Sequence, residues 1–530
     1  MKKLLVCLSA VVAFAASASW QKVADLQVAD SDSLVQGVSK FGELTGNVML
    51  GTMASAALMQ MPGADLFGPG RDKTPMTFCL FVDDAKLETV LADSEKFDAD
   101  DVLSYALLYP VRQTKAEFVK EHEGCTEANG VLRVVEDDED DDDDEGDDDE
   151  DVRFVAFSKD GKWASMSDNP DRAKLGLEDL RLAGRPMKGD LVKLAVTPKG
   201  VSAVRRMLEK AKDEIGRKAK DKDRADALSS VKYVTDLVKG ISVLVGGIAI
   251  DDKGLAVRGS VGTVKGSELA KCGLKTLEDD PFAFAPKSTL VAVAFAADCG
   301  QRTFDLDALF KVLAKHGIKT DSFLKVEEFQ PGNKSVLTFD VPAAVAYGKK
   351  EGEAIAKKFD AKALKKDLGD LTGPGDSFVA TNPPASTALA LKDYVSPVSA
   401  SERLAAVLPE AKQKKPFSVQ VFSVYSLVKA VLPSLLAQME TDDRAEVGPL
   451  VKSLPPEGKG GIGLVGWREN DRLSSLLRIS ADELKLLSSG FSAFSAYQMQ
   501  TAMKAAKKAQ GQKKSAKKPQ AKPAAKAKAK

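Results

Sequence analysis

Histidine is nearly absent from this chain of 530 residues, which contains only His122 and His316 and no His-Glu-x-x-His motif. Two histidines so far apart argue against a histidine-based zinc site. Catalysis through one histidine beside a Ser or a Cys stays open, but no Gly-x-Ser-x-Gly motif marks a nucleophile. Each histidine ends a predicted helix, where a cation is favourable. Histidine therefore assigns no catalytic chemistry.

Cysteine is also scarce, and no Cys-x-x-Cys motif occurs, which argues against a thioredoxin-like or zinc-ribbon site. Cys7 lies in the N-terminal apolar run, too early to serve as a lipoprotein cysteine. In an exported chain the other four allow two disulfides and three pairings. The sequence-local choice joins Cys79 to Cys125 and Cys272 to Cys299. A buried free thiol is the alternative at Cys79, which lies in an apolar predicted strand.

Motifs for nucleotide binding and serine chemistry occur only in weak form. The run Gly458–Gly463 satisfies G-x-G-x-x-G, but it opens a predicted strand instead of a helix, which favours a plain loop. Ser426-x-x-Lys429 begins a predicted helix, where a penicillin-binding-type serine would sit, and Ser229-x-x-Lys232 has the same letters within a helix. No Lys-Thr-Gly motif accompanies them, so a helix start is the preferred interpretation.

The overall composition is that of a soluble globular protein, with 44% hydrophobic and 29% charged residues. Aromatic residues make up only 6%, which lowers the expectation of a carbohydrate-binding platform. The formal net charge of −1 conceals a separation: residues 136–151 are acidic except for Gly146, and residues 504–530 carry Lys and no acid. Outside these two segments the charges nearly balance, so the folded body predicts no particular partner.

A signal peptide is the strongest functional signal in the sequence. Lys2 and Lys3 form a positive start, Leu4–Ala16 is apolar, and Ala16-Ser17-Ala18 matches a small-residue cleavage site. The run is too short to span a bilayer, so residues 1–18 are predicted to be removed. The compact signal is typical of bacteria and predicts export to the periplasm, the cell surface or the medium.

Residues 19–74 are predicted to form an N-terminal helical segment. Within it, Leu44–Met61 carries no charge, which raises the alternative of a transmembrane span. Polar and small residues dilute its hydrophobicity, and no basic residues flank it closely. A packed helix is therefore preferred, and no transmembrane helix is predicted in the mature chain.

Two hairpins organise the rest of the chain. Gly246–Val261 contains two apolar strands joined by Asp-Asp-Lys-Gly, which favours a turn. Gly463–Ile479 repeats this design around Glu-Asn-Asp-Arg. The elements before each hairpin place them at the ends of two α+β units, residues 75–275 and 285–495. Because hairpins recur and helices do not alternate strictly with strands, mixed or antiparallel sheets covered by helices are predicted.

The two units are predicted to be tandem related copies. Matching segments occur in the same order in both, and this shared order carries the hypothesis, since each match alone is weak. The alternative is that any two α+β domains share apolar strands and Asn-Pro helix starts. The matched pairs are Lys162–Ser167 with Asp376–Thr381, Asn169-Pro170 with Asn382-Pro383, Leu175–Leu177 with Leu389–Leu391, Leu191–Val196 with Phe417–Phe422, and Leu237–Lys239 with Leu450–Lys452.

The acidic segment 136–151 is predicted to be a disordered, self-repelling insertion between two strands. Asp141, Asp143 and Glu145 begin to resemble a calcium-binding EF-hand loop. The pattern fails at its fifth position, which is Glu145, and at its twelfth, which is Val152 instead of Glu. Weak and unselective binding of divalent cations at Asp141, Asp143 and Glu145 is the alternative.

Residues 510–530 are dominated by Lys, Ala, Pro and Gln and are predicted to be a disordered basic tail. Such a tail binds anions, and export favours an anionic lipid, lipopolysaccharide or cell-wall polymer over nucleic acid, with about 1 kcal/mol per Lys near the surface. A merely solubilising role, or pairing with the acidic segment, is the alternative. The predicted surface contacts are Lys513, Lys514, Lys517, Lys518, Lys522, Lys526, Lys528 and Lys530.

These observations predict an exported bacterial protein that needs no cofactor and acts as a non-enzymatic binding or structural component of the cell envelope. One alternative is an exported hydrolase whose site is not visible as a sequence motif. Another is a surface protein that assembles with itself, acidic segment to basic tail. No specific nucleic-acid partner is expected.

Overall fold

A computed structural model of the chain describes most of the sequence from Trp20 to Gly490. The described residues are 20–59, 75–87, 103–111, 114–122, 124–136, 151–178, 189–218, 228, 231–232, 234–296, 306–329, 334–358, 360–364, 367, 385–437, 439, 441–490, 492, 495 and 499.

Within these residues, 17 strands form one continuous sheet. The strands are β1 (Trp20–Val28), β2 (Met76–Asp83), β3 (Leu103–Pro110), β4 (Thr126–Ala128), β5 (Val131–Glu136), β6 (Asp151–Phe157), β7 (Trp163–Ser167), β8 (Val192–Val196), β9 (Ile241–Asp251), β10 (Gly254–Thr263), β11 (Thr289–Phe295), β12 (Leu324–Phe329), β13 (Lys334–Phe339), β14 (Ala385–Leu391), β15 (Ser418–Phe422), β16 (Ile462–Glu469) and β17 (Arg472–Ser480).

The pairing of neighbouring strands gives a single row. From one edge to the other its order is β4, β5, β6, β7, β3, β2, β1, β8, β9, β10, β17, β16, β15, β11, β14, β13 and β12. All of these pairs are antiparallel except β13 with β14, which is parallel. The predicted fold class is therefore confirmed in part. The strands are mixed, mostly antiparallel and covered by helices, but they form one sheet instead of a separate sheet in each of two units.

Helices cover both faces of this sheet. On one face, α8 packs Leu404 against Val465 and α4 packs Ala173 against Ala156. On the opposite face, α5 packs Ala203 beside strand β2. The described helices are α1 (Ser31–Thr45), α2 (Leu50–Met59), α3 (Lys115–Glu121), α4 (Pro170–Glu178), α5 (Pro198–Lys218), α6 (Leu306–Lys315), α7 (Val341–Lys358), α8 (Ala400–Val407), α9 (Ala411–Lys414), α10 (Val424–Leu436) and α11 (Thr441–Ser453), with further helical residues at 234–239 and 481–490.

Each of the two hairpins is extended by one strand in the same register. Val196, the last residue of β8, pairs with Leu244, seven residues before the end of β9. Phe422, the last residue of β15, pairs with Ile462, seven residues before the end of β16. Helix α5 follows β8, and helix α10 follows β15. Both halves of the chain therefore share a strand, a helix and a hairpin with identical pairing.

The second strands of the two hairpins, β10 and β17, pair with each other and join the halves into one sheet. Their register runs from Gly254 opposite Ser480 to Gly262 opposite Arg472. When the two hairpin turns are superposed, Arg258 falls on Leu476, and these two residues are themselves a pair. The pairing is therefore unchanged by a half-turn about an axis that passes between Arg258 and Leu476 and exchanges the two strands.

Local chemistry makes the two turns. The backbone N–H of Lys253 donates to Asp251 Oδ1 at 2.8 Å, an Asx-type contact that stabilises a turn. Gly254 has a φ of 121°, and a Cβ there would lie 2.0 Å from the carbonyl oxygen of Ile479. Only glycine therefore fits where β10 begins beside the end of β17. In the second turn Asn470 has a φ of 54°, which Asn tolerates better than most residues.

The helical prediction for residues 19–74 is wrong at its start. Trp20–Val28 is strand β1, which lies between β2 and β8 in the sheet. Its apolar residues alternate at Ala24, Leu26 and Val28, which is the period of a strand. Asp25, a polar residue between them, is buried, and its carboxylate lies 2.6 Å from Lys22 Nζ. Residues 31–45 and 50–59 are helical as predicted.

One of the matches between the two units is also wrong. Leu175–Leu177 lies in helix α4, whereas Leu389–Leu391 lies in strand β14. Both segments have apolar residues two apart, and this short pattern does not distinguish a strand from a helix covered on one side. Asp376–Thr381 and Asn382-Pro383 lie outside the described residues.

The sequence-local disulfide between Cys79 and Cys125 does not form. Both are free thiols in the part of the chain that the structure describes. Cys79 is fully buried, and burial raises the pKa of its thiol to about 12. The Sγ of Cys272 contacts the carbonyl oxygen of Glu268 at 3.7 Å, and Cys299 lies outside the described residues.

Candidate functional site

Two of the motifs found in the sequence meet at one place, the start of helix α10. Ser426 Oγ accepts a hydrogen bond from Arg403 Nη2 at 3.2 Å, and Lys429 Nζ donates to the carbonyl oxygen of Pro455 at 2.7 Å. Arg403 Nη1 also donates to the carbonyl oxygen of Gly460, within the glycine-rich run. Residues Arg403, Ser423, Ser426, Gly460 and Glu483 are called the polar junction below.

A buried carboxylate completes the polar junction. Glu483 is 0% exposed. Its Oε1 accepts from the backbone N–H of Tyr425 at 2.9 Å, and its Oε2 accepts from Ser423 Oγ at 2.9 Å. Ser423 is also the N-cap of α10, since its Oγ accepts from Ser426 N at 3.0 Å. Two acceptors thus satisfy the free N–H groups at this helix start, and the negative charge suits the helix dipole.

Arg403 supplies the balancing positive charge. It is 2% exposed, and burial lowers the pKa of its guanidinium, against the opposing effect of Glu483, Glu457 and Tyr394. Arginine stays charged even so. Tyr394 lies beside this group and donates its hydroxyl to Glu457 Oε2. Burial, followed by this hydrogen bond, raises the pKa of Tyr394 above its usual value.

The polar junction does not set up a serine nucleophile. A serine is activated when a neutral base accepts its proton. Here Ser426 accepts from a cation, and Lys429 is bonded to the carbonyl oxygen of Pro455. The companion triplet of penicillin-binding enzymes does occur, as Ser167-Asp168-Asn169, but it lies at the end of β7, in the other half of the sheet. The junction instead holds α8, α10 and the end of β17 together.

The glycine-rich run Gly458–Gly463 serves close packing. It leads into strand β16, not into a helix, so no helix N-terminus faces it in the way a dinucleotide site requires. A Cβ at Gly460 would lie 2.6 Å from Glu483 N, and one at Gly461 would lie 2.7 Å from the carbonyl oxygen of Phe422. These glycines let the loop approach the polar junction.

Both histidines have local partners. His122 Nδ1 lies 3.0 Å from the carbonyl oxygen of Phe118, and the two rings stack with centroids 4.1 Å apart. His316 Nε2 lies 2.8 Å from Asp367 Oδ2. Hydrogen bonds from Lys315 first and His316 second lower the pKa of Asp367. Among the described residues, no group of three or more His, Cys, Asp or Glu side chains is placed to hold a metal ion.

The two charged segments lie almost wholly outside the described residues. The acidic segment connects β5 to β6, and its ends, Glu136 and Asp151, pair with each other. The predicted cation-binding residues Asp141, Asp143 and Glu145 are outside the described part of the chain. The same is true of Ser229 and of every lysine predicted to contact an anionic surface.

Sequence reasoning missed a cleft between helices α7 and α10. Its volume is about 470 Å³. The α7 side chains follow the i, i+3, i+4, i+7 spacing of one helix face, and that spacing was the available signal. The lining residues, called the apolar cleft below, are Pro342, Val345, Ala346, Lys349, Pro433, Ser434 and Ala437.

No described helix is long and apolar enough to cross a membrane. No profile of a protein family, no curated protein and no solved structure matches this chain.

Proposed function

We propose that the protein is an exported, non-enzymatic component of a bacterial cell envelope that binds a partner. The observation that carries this proposal is the polar junction, where Ser426, Arg403 and Glu483 are used in holding backbone and helix ends in place. The nearby Lys429 is likewise used in a hydrogen bond to the carbonyl oxygen of Pro455. The apolar cleft offers a binding surface of ordinary ligand-site size. The signal-like N-terminus supports export.

The lysine tail would hold the protein to an anionic surface of the envelope. Residues 504–530 carry lysines without a single acid. A lysine near such a surface contributes about 1 kcal/mol, so the eight lysines from Lys513 to Lys530 suffice for stable attachment at low salt. Because salt screens this attraction, attachment should weaken as ionic strength rises.

The two halves would descend from one duplicated unit. Their shared strand–helix–hairpin order, the identical register of the added strand and the half-turn symmetry of the β10–β17 pairing support this proposal. Duplication would also account for the way that the two hairpins complete one sheet, since equal partners form a self-complementary contact about a two-fold axis.

Fractionation of cells that produce the full chain tests the proposal. The protein should remain in washed envelope fractions, and deleting Gly511–Lys530 should release it. A control in which the eight lysines become Gln keeps the length of the tail and should behave like the deletion. Retention that survives both changes would remove the tail from the proposal. A protein found in the cytoplasm with residues 1–18 still attached would refute export.

A further inference from the structure

The apolar cleft has a chemistry that defines what it can hold. Five of its seven lining residues are Pro, Val or Ala. The remaining two, Lys349 and Ser434, carry hydrogen-bond donors, and no carboxylate lines the cleft. Neither side chain makes a hydrogen bond or an ion pair with any residue in the described part of the chain. The cleft therefore combines an apolar surface with donors available to an anion.

The two helices that form the cleft also pack together, because Val345 of α7 and Ala430 and Val431 of α10 belong to one apolar cluster. Pro433 stands inside α10, where a proline removes a backbone hydrogen bond and bends the helix. On α7, a Cβ built at Gly348 or Gly352 would meet no described atom within 4 Å. Helix α7 is therefore open at Gly348 and Gly352.

We propose that the apolar cleft binds a free long-chain fatty acid, with the alkyl chain along the apolar residues and the carboxylate at Lys349 and Ser434. A positive charge without a counter-ion attracts a carboxylate, and a hydroxyl adds one hydrogen bond. A cation would meet Lys349 and be repelled.

Size favours a single alkyl chain. The volume of about 470 Å³ lies toward the lower end of the range of about 300–1,000 Å³ for ligand sites. A phospholipid with two acyl chains would leave much of one chain in water, whereas one chain can lie between the two helices. Apolar ligands gain affinity with each buried methylene, so longer fatty acids should bind more tightly until the cleft is full.

This inference rests on the binding role in the proposed function and is independent of the lysine tail. The two can fail separately. A loss of envelope retention would refute the role of the tail but not fatty-acid binding by the cleft. A cleft that binds no fatty acid would refute this inference but not attachment through the tail or export.

Calorimetric titration of the purified mature chain, residues 19–530, with laurate tests the proposal. One laurate should bind per chain, and dodecyltrimethylammonium, which has an alkyl chain of the same length and the opposite charge, should bind at least tenfold more weakly. Lys349→Ala should weaken laurate binding about tenfold, which corresponds to about 1.4 kcal/mol. Lys349→Glu should reverse the preference between the two probes.

A neighbouring lysine gives a matched control. Lys350 does not line the cleft and lies 3.8 Å from Glu351, so Lys350→Ala should leave laurate binding unchanged. Ala346→Phe, at an exposed position of α7, should block the cleft without unfolding the protein, as circular dichroism would show.

Four results would overturn the proposal. The first three are an absence of laurate binding, an equal loss of laurate affinity in Lys349→Ala and Lys350→Ala, and equal binding of the two probes. The fourth is binding of the tail-deleted chain to phosphatidylglycerol vesicles but not to free laurate, because that would assign the cleft to a membrane lipid.

Discussion

Removing the carboxylate of Glu483 should destabilise the protein more than any exposed charge change. Glu483→Ala leaves the N–H of Tyr425 and the hydroxyl of Ser423 without their acceptor and takes a counter-charge from Arg403. Each buried donor left unsatisfied costs about 1–3 kcal/mol, so the two donors together set the scale of the loss. These contributions overlap, and Glu457 retains part of the compensation. We expect a loss of about 4 kcal/mol.

The assay is urea unfolding of the purified protein, followed by circular dichroism and tryptophan fluorescence. Glu469→Ala is the matched control, because it removes the same type of side chain and the ion pair of Glu469 with Lys414 is exposed. Such pairs contribute about 0–1 kcal/mol, so the control should lose no more than that. Equal losses in the two variants would refute the assignment of Glu483 as a buried structural charge.

A double change separates the charge from the packing. Replacing Arg403 by Met and Glu483 by Gln removes both charges while keeping similar volumes. Glu483 offsets the buried positive charge of Arg403. Removing both charges leaves neither one uncompensated, so the double variant should be more stable than Glu483→Ala. A double variant as unstable as the sum of its two single changes would show that the charges do not compensate each other.

Three further results are expected. In the native protein a thiol reagent should modify Cys125 before Cys79, and Cys79 should react only on unfolding; mass mapping that shows rapid native modification of Cys79 would contradict its burial. Since burial raises the pKa of Cys79 from 9.0 to about 12, the folded state holds its proton more tightly, and stability present below pH 9 should be lost as pH rises towards 12. Gly254→Ala should lower the free energy of unfolding by more than about 1 kcal/mol, because of the positive φ and the close carbonyl oxygen of Ile479. Gly266→Ala should lower it less, since Gly266 shares a positive φ but its added Cβ would meet no described atom within 4 Å. Equal losses in urea unfolding would refute the steric explanation.

Short-range features were predictable from the sequence. Both hairpins lie where Asp-Asp-Lys-Gly and Glu-Asn-Asp-Arg predicted them, because turn residues act within four positions. The strand around Cys79 was also predicted, since its apolar run is flanked by polar residues. The acidic segment was correctly placed between two strands.

Long-range features were not predictable. The place of β1 between β2 and β8 depends on partners far along the chain, and so does the burial of its polar residues Asp25 and Gln27. The polar junction brings together residues from four separate segments, so Glu483 carried no signal of its own. Ser426 and Lys429 were noticed only through a motif whose chemistry the geometry does not provide.

The seam between β10 and β17 has a consequence for how the chain must fold. Strand β10 finishes at Thr263, but its second neighbour begins only at Arg472. Until β17 has formed, the backbone N–H and C=O groups along one edge of β10 are unpaired. This strand also carries the apolar residues Leu255, Val257 and Val261, and such an edge promotes aggregation. Contacts so distant in sequence also form slowly. The sheet of the first half thus stays unpaired at β10 until the second half folds, and a chain that ends before Arg472 would leave this edge permanently exposed.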